Sequence, residues 1–396
     1  MVENVNKIAV VGAGLMGSGI AQVSLMAGYD VVLVDIKDEY VDKGAAKIEE
    51  GMKKLESKGK LGEGQTADSV MGKMTKSIDL ASAVKDCDVV IEAVIEKMSI
   101  KKDVCKTVMD NGPDHIIFCS NTSTMSITDI GKDSGAPDRV CGMHFFNPVP
   151  LMRLIEVIRG AETSDATFDK AMKVAESLPC LRGKRYIAPV LKDRPGFIVN
   201  RMNAPVQIYL SWAFDKTKAE GKSWAQLDAD AGGKMPMPPC MLTDFVGIDT
   251  MNHVMNYYKE TLSEDFQPGE VITDLMEKGD LGQKTGKGFY DWSKGKDTIK
   301  GMIKEAEPAG IFDLNTTFAI MLNEGCRILE EGVASGFKII DDANMAGMNA
   351  PGPFGWGKRN YEEAANSLNE LADKTGKDYF RPTELLKTGG FNKMRK

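Results

Sequence analysis

Residues 7–35 constrain this chain more than any other stretch. An apolar strand, Ile8-Ala9-Val10-Val11, runs into Gly12-Ala13-Gly14-Leu15-Met16-Gly17, then a helical stretch, a second apolar strand Val31-Val32-Leu33-Val34, and Asp35. Gly12 allows the tight turn out of the strand, Gly14 lets the backbone approach a pyrophosphate, and Gly17 lets the helix pack closely on the sheet. The helix N-terminus adds free amides and the positive end of its dipole. Asp35 stands 18 residues after Gly17, at the end of the second strand. A carboxylate there accepts hydrogen bonds from an adenosine ribose 2'-hydroxyl and repels a 2'-phosphate, so the spacing predicts a dinucleotide site that favours NAD over NADP. The competing reading is a glycine-rich turn with no ligand. Strand, helix and acid all stand where the motif demands, which weighs against it.

At 396 residues, with 42% hydrophobic and 27% charged residues, the chain has material for two or three domains with buried cores. A formal charge of -7 argues against a nucleic-acid partner. The seven cysteines form no CxxC pair and read as reduced thiols, and no metal site is expected. No basic and apolar leader precedes the first strand, and no apolar run reaches transmembrane length. These features predict a cytoplasmic protein with no membrane partner.

Short apolar runs at residues 89–92, 116–119 and 140–143 alternate with helical patterns, which predicts a parallel sheet covered on both faces. The sheet domain ends in a strand-like stretch at 181–191, and Arg194-Pro195-Gly196 marks the boundary, beyond which helical patterns dominate. A shift of 114 residues brings Asp228 onto Asp342, Ala229 onto Ala343, Gly233 onto Gly347 and Pro239 onto Pro353. The expected fold is α/β: a Rossmann-type parallel sheet domain over 1–193, then two all-helical domains related by duplication, 194–298 and a degenerate copy at 299–396.

Hydride transfer from a substrate hydroxyl needs a general base near neutral pKa, and the chain has three histidines, His115, His144 and His253. His144 stands at the predicted carboxyl end of a strand, the edge at which α/β sheets bind ligands. His115 precedes a strand and His253 lies in a helical pattern. In Leu154-Ile155-Glu156-Val157-Ile158 a lone carboxylate sits among branched apolar residues and needs a partner, either an imidazole or Arg153 or Arg159. Ser120-Asn121-Thr122-Ser123-Thr124 follows another strand and offers polar groups for a ligand, or an N-cap for a helix near Ser126.

Together the glycine-rich loop, Ser120-Asn121-Thr122-Ser123, His144-Phe145-Phe146-Asn147-Pro148, Glu156, Arg194-Pro195-Gly196-Phe197-Ile198-Val199-Asn200-Arg201 and Lys284-Thr285-Gly286-Lys287-Gly288-Phe289-Tyr290 resemble the NAD-dependent (S)-3-hydroxyacyl-CoA dehydrogenase family, over residues 5–292. The resemblance implies that His144 is the acid/base on the 3-hydroxyl, Glu156 its orienting partner, and Ser123 and Asn200 contacts to the acyl-CoA. It also implies NAD contacts at Gly12, Gly14, Leu15, Met16, Gly17, Asp35, Ala93, Glu96, Lys101 and Asn121, and a CoA phosphate contact at Lys58. A solvated helix face is the alternative for the lysines around Lys58, which alternate with glutamates.

Two departures leave acyl specificity open. An insertion runs through Arg182-Gly183-Lys184-Arg185-Tyr186, and Pro236-Met237-Pro238-Pro239-Cys240 stands where the family has Pro-Met-Gly-Pro-Phe. The final repeat resembles the tandem helical domains of longer family members without their hydratase module, which allows a monomer as well as a homodimer. A dehydrogenase of a non-CoA hydroxy acid and a catalytically silent NAD-binding protein are the remaining alternatives.

Overall fold

The computed structural model describes residues 2–396, which form two compact units: residues up to Val199 with Glu331–Gly352 and Lys396, and Asn200–Glu330 with Pro353–Arg395.

The first unit is built on an eight-stranded sheet. Its strands are β1 (Lys7–Val11), β2 (Asp30–Val34), β3 (Met74–Ser77), β4 (Val89–Glu92), β5 (Ile117–Ser120), β6 (Val140–Phe145), β7 (Leu154–Ile158) and β8 (Tyr186–Val190), in the spatial order β3-β2-β1-β4-β5-β6-β7-β8. The connecting helices include α1 (Leu15–Met26), α2 (Asp38–Glu56), α3 (Met98–Asn111) and α4 (Asp165–Ser177). From β1 the chain winds outward through β2 to β3, then returns to β4 on the other side. This leaves a crevice at the carboxyl ends of β1 and β4, where open α/β sheets hold ligands.

The expected parallel sheet holds for β1 to β6, whereas β7 and β8 run the opposite way. Only residues 146–153 separate β6 from β7, too few for the crossover that parallel neighbours need, so the chain folds straight back. β8 then follows β7 in parallel through α4. Arg185 braces this fold-back: its buried guanidinium donates to the carbonyls of Val149 (3.0 Å), Met152 (2.9 Å), Leu178 (3.0 Å) and Pro179 (3.1 Å). β3, which the sequence pattern did not reveal, is a half-exposed edge strand of sequence Met-Thr-Lys-Ser. The helix Phe337–Met348 also belongs to this unit and packs on β7 and β8. Gly347 permits the approach, since a Cβ there would stand 2.7 Å from Leu154 Cδ2.

The second unit is helical, with α5 (Val199–Ala219), α6 (Trp224–Ala229), α7 (Pro239–Val246), α8 (Leu314–Glu330) and α9 (Phe354–Thr375) as its main elements. Buried carboxylates organise it. Asp228 accepts from the amides of Cys240 (2.7 Å) and Met241 (3.1 Å) at the start of α7 and from the Tyr290 hydroxyl (2.8 Å). Asp244 accepts from the amides of Phe289 (2.8 Å) and Tyr290 (3.0 Å) and from the Trp292 indole (2.8 Å), which gives the Lys284 to Tyr290 motif a structural purpose. Glu324 on α8 receives Arg201 Nε, Arg327 Nη1 at 2.7 Å and the Tyr379 hydroxyl at 3.0 Å.

Burial pushes the Asp228 carboxyl up to about 6 despite these donors. A carboxyl raised above its ordinary 3.8 confers stability that is fully present below about pH 4 and lost as the pH rises through about 6. The stability of the native chain minus that of Asp228→Asn should therefore fall over this window by up to about 3 kcal/mol, read from urea midpoints at each pH.

Candidate active site

The glycine loop leaves β1 as the steric argument requires. Gly12 has φ +101°, and a Cβ on it would stand 2.5 Å from the Ala93 carbonyl oxygen. A Cβ on Gly17 would stand 1.7 Å from the Gly12 oxygen, whereas the space beside Gly14 is open. No side chain caps α1, so its first amides remain available to an anion. Asp35 lies just past β2, its carboxylate accepting from the amides of Ala13 (2.7 Å) and Ile36 (2.7 Å). It shares a cleft of about 370 Å³ with Ala13, Gly14, Leu15, Tyr40, Lys43 and Lys47. An open, uncapped helix start with a carboxylate beside it fits the pyrophosphate and ribose of a dinucleotide. Leu15 is exposed and Met16 half-buried. Two residues that the sequence reading passed over, Ile36 and Ile95, are 78% and 68% exposed just beyond β2 and β4, and they offer apolar surface at the same edge. An apolar residue directly after the motif acid was the signal for the first.

At the ends of β4 and β5 a second polar group assembles. Lys101, on the first turn of α3, is buried with its ammonium 2.8 Å from Glu92 Oε1 and 3.1 Å from Glu96 Oε2. Glu92, fully buried in β4, also accepts from the Val94 amide (2.8 Å) and the Ser120 hydroxyl (2.6 Å). Glu96 accepts from the Thr122 hydroxyl and from the Ser123 amide at 3.2 Å. The loop is thus organised around Glu96, while Ser126 caps the helix Ile127–Gly131 that follows. Asn121 faces the next strand, its Oδ1 accepting from the Phe145 amide at 2.8 Å.

His144 and Glu156 are directly opposed across the antiparallel β6–β7 pair, and His144 Nδ1 lies 2.7 Å from Glu156 Oε2. Facing residues of such a pair lie close enough for side chains to meet. Both are buried, Glu156 completely. Its other oxygen accepts from the amides of Ile198 (3.2 Å) and Val199 (2.9 Å). Those amides point inward because the chain turns through Gly196 (φ 77°) and Phe197 (φ 56°), the latter a left-handed conformation unusual for a bulky residue. The Phe197 ring lies 5.8 Å and the Phe146 ring 4.5 Å from the imidazole. A carboxylate accepts on both oxygens, so the hydrogen bond calls for a proton on Nδ1, and in that neutral tautomer Nε2 carries the lone pair. The alternative partners of Glu156 are engaged elsewhere, Arg153 with the Lys184 carbonyl and Arg159 with Asp165.

Asn200 follows Val199 in the chain and is half-buried. Lys58 is exposed just beyond the end of α2. His115 pairs with Asp88 (2.9 Å), which precedes β4, and His253 lies in the helix Ile248–Thr261. Among the described residues no group of three or more His, Cys, Asp and Glu is disposed to hold a metal ion, and no helix is long and apolar enough to cross a membrane.

Replacing Glu156 by Ala would strand two buried amides and the Nδ1 proton. Urea unfolding should show a loss of about 3–5 kcal/mol, the usual cost of breaking a buried, hydrogen-bonded charge site.

Residues 7–186 match the family model described as 3-hydroxyacyl-CoA dehydrogenase, NAD binding domain, and residues 196–292 match that of the 3-hydroxyacyl-CoA dehydrogenase C-terminal domain. The mitochondrial hydroxyacyl-coenzyme A dehydrogenase of Rattus norvegicus is 36% identical over 296 residues, covering 73% of this chain and 91% of the relative. The fatty acid oxidation complex subunit alpha of Idiomarina loihiensis is 35% identical over 395 residues, 94% of this chain and 52% of the relative. The crystal structure of 3-hydroxybutyryl-CoA dehydrogenase from Escherichia coli superposes with a TM-score of 0.84 at 25% identity, covering 98% of both chains. With its NAD-binding sheet unit, its helical C-terminal domain and these relatives, the chain belongs to the 3-hydroxyacyl-CoA dehydrogenase family.

Proposed function

We propose that this protein is an NAD-dependent (S)-3-hydroxyacyl-CoA dehydrogenase, interconverting a 3-hydroxyacyl-CoA and its 3-ketoacyl-CoA. The observation that carries the reading is the buried His144–Glu156 pair, held at 2.7 Å with Glu156 anchored on two backbone amides, in a chain with a dinucleotide crevice. Bound NAD supplies the hydride acceptor. The residues around it do the rest.

In the oxidising direction His144 Nε2 takes the proton of the 3-hydroxyl as C3 loses its hydride; in the reverse direction the imidazolium returns it. Glu156 keeps the proton on Nδ1 and stabilises the imidazolium that forms, the part an aspartate plays in a serine-protease triad. Ser123 and Asn200 are polar contacts to the substrate, and Lys58 receives a phosphate of CoA. Gly12, Gly14, Leu15, Met16 and Gly17 cradle the pyrophosphate, Asp35 takes the ribose, and Ala93, Glu96 and Asn121 form the nicotinamide side, with the buried Lys101 acting from behind Glu96. The domain reading is 1–193, 194–298 and 299–396, the last two as diverged copies. Its support is the 114-residue repeat, in which Asp228 corresponds to Asp342 and a proline stands at the start of both α7 and α9.

General acid/base catalysis contributes roughly 10²- to 10⁴-fold in rate. A His144→Gln protein should lose at least the lower figure in NADH oxidation with acetoacetyl-CoA, followed by near-UV absorbance, while its affinity for NADH stays close to native. Undiminished turnover by the variant would refute the assignment of the base.

A further inference from the structure

Glu92 has no place in the acid/base mechanism, yet it is a completely buried carboxylate in the strand that borders the cofactor crevice. Lone buried charges are costly, and Glu92 is held by three donors: the Val94 amide, the Ser120 hydroxyl and the Lys101 ammonium. Lys101 in turn bridges Glu92 to Glu96. Two carboxylates and one ammonium leave this cluster with a single net negative charge. Side-chain exposure shows where that charge is expressed, since Glu92 is 0%, Lys101 1% and Glu96 37% exposed. The outermost member is fixed by Thr122 and Ser123 at the carboxyl end of β5.

From this arrangement we infer that Glu92 is a positioning residue that sets the preference for oxidised over reduced cofactor. By sharing the charge of Lys101 from below, it leaves the Glu96 carboxylate only partly compensated at the face where the ligand sits. Oxidised nicotinamide is cationic and reduced nicotinamide is neutral, so a net negative cluster favours the oxidised form selectively. Lys101, being buried, acts on the cofactor through Glu96. The inference rests on the proposed placement of NAD at this edge, and it assigns to Glu92 a task that the placement does not require.

The test is equilibrium binding to the full chain, with NADH titrated by fluorescence and NAD+ by competition, read as the ratio of Kd for NAD+ to Kd for NADH. One unit charge at roughly 8–10 Å, in an effective dielectric of about 20–30, corresponds to a roughly five- to thirty-fold rise of that ratio in Glu92→Gln, whose cluster is neutral. The double variant Glu92→Gln/Lys101→Met restores one net negative charge, and its ratio should return to near the native value. Lys101→Met alone, more negative, should lower the ratio. A merely structural role would weaken both forms together and leave the ratio unmoved, which overturns the inference. Should Glu92→Gln fail to fold, the single and double Lys101→Met variants carry the same comparison, and equal ratios in them overturn it. Glu96→Gln separates the two levels. If it raises the ratio while Glu92→Gln does not, the role of Glu92 fails alone; if it alters the affinity for neither form, the placement of the nicotinamide at this face fails.

Discussion

The backward turn between β6 and β7 is the constraint on which the chemistry depends. Had β7 run parallel to β6, its connection would have needed a crossover and Glu156 would have met other neighbours. Folding straight back sets His144 opposite Glu156 in register, so a hydrogen bond between buried side chains follows from main-chain pairing. A slip of β7 by one residue would turn Glu156 to the opposite face of the sheet from His144, and the bracing of the turn by Arg185 opposes such a slip. Arg185 is thus a structural side chain at the place where register matters.

The sheet's carboxyl edge concentrates charge that the apolar strands would otherwise exclude. Glu92 and Glu156 are each the single acid of a fully buried strand; Glu92 is satisfied by one backbone amide, the Ser120 hydroxyl and the Lys101 ammonium, Glu156 by two backbone amides and the His144 imidazole. Such groups are expensive to bury and rigid once paired. They tie loops that would otherwise be mobile to the strand ends: Ser120 and Thr122 around the Glu92, Lys101 and Glu96 group, and Ile198 and Val199 around Glu156. The helical unit uses the same device at Asp228, Asp244 and Glu324, where carboxylates collect amides and side chains from separate segments.

Much of this was legible in the residues. The dinucleotide crevice follows from Gly12, Gly14, Gly17 and Asp35 because each answers a local steric or electrostatic demand, and local demands leave fixed spacings. His144 was distinguishable from His115 and His253 by its place at a strand end. Glu156 was recognisable as needing a partner, with an imidazole as the leading reading, but Arg153 and Arg159 stayed open as alternatives until the antiparallel register was seen. β3 was hidden because a half-exposed edge strand of Met-Thr-Lys-Ser has no alternation to read. The docking of the helix Phe337–Met348 on β7 and β8 was equally invisible, since its apolar face does not announce which surface it covers.

The sequence by itself determined the sheet-and-helix class, the nucleotide-binding loop and the family, because these rest on short-range spacing and local backbone geometry. Only the tertiary structure decided that β7 reverses, that Glu156 is anchored by the amides of Ile198 and Val199, and that Lys101 lies sandwiched between Glu92 and Glu96. Those outcomes depend on which distant segments share a buried volume, and in that volume every polar group must find a partner that no local pattern names.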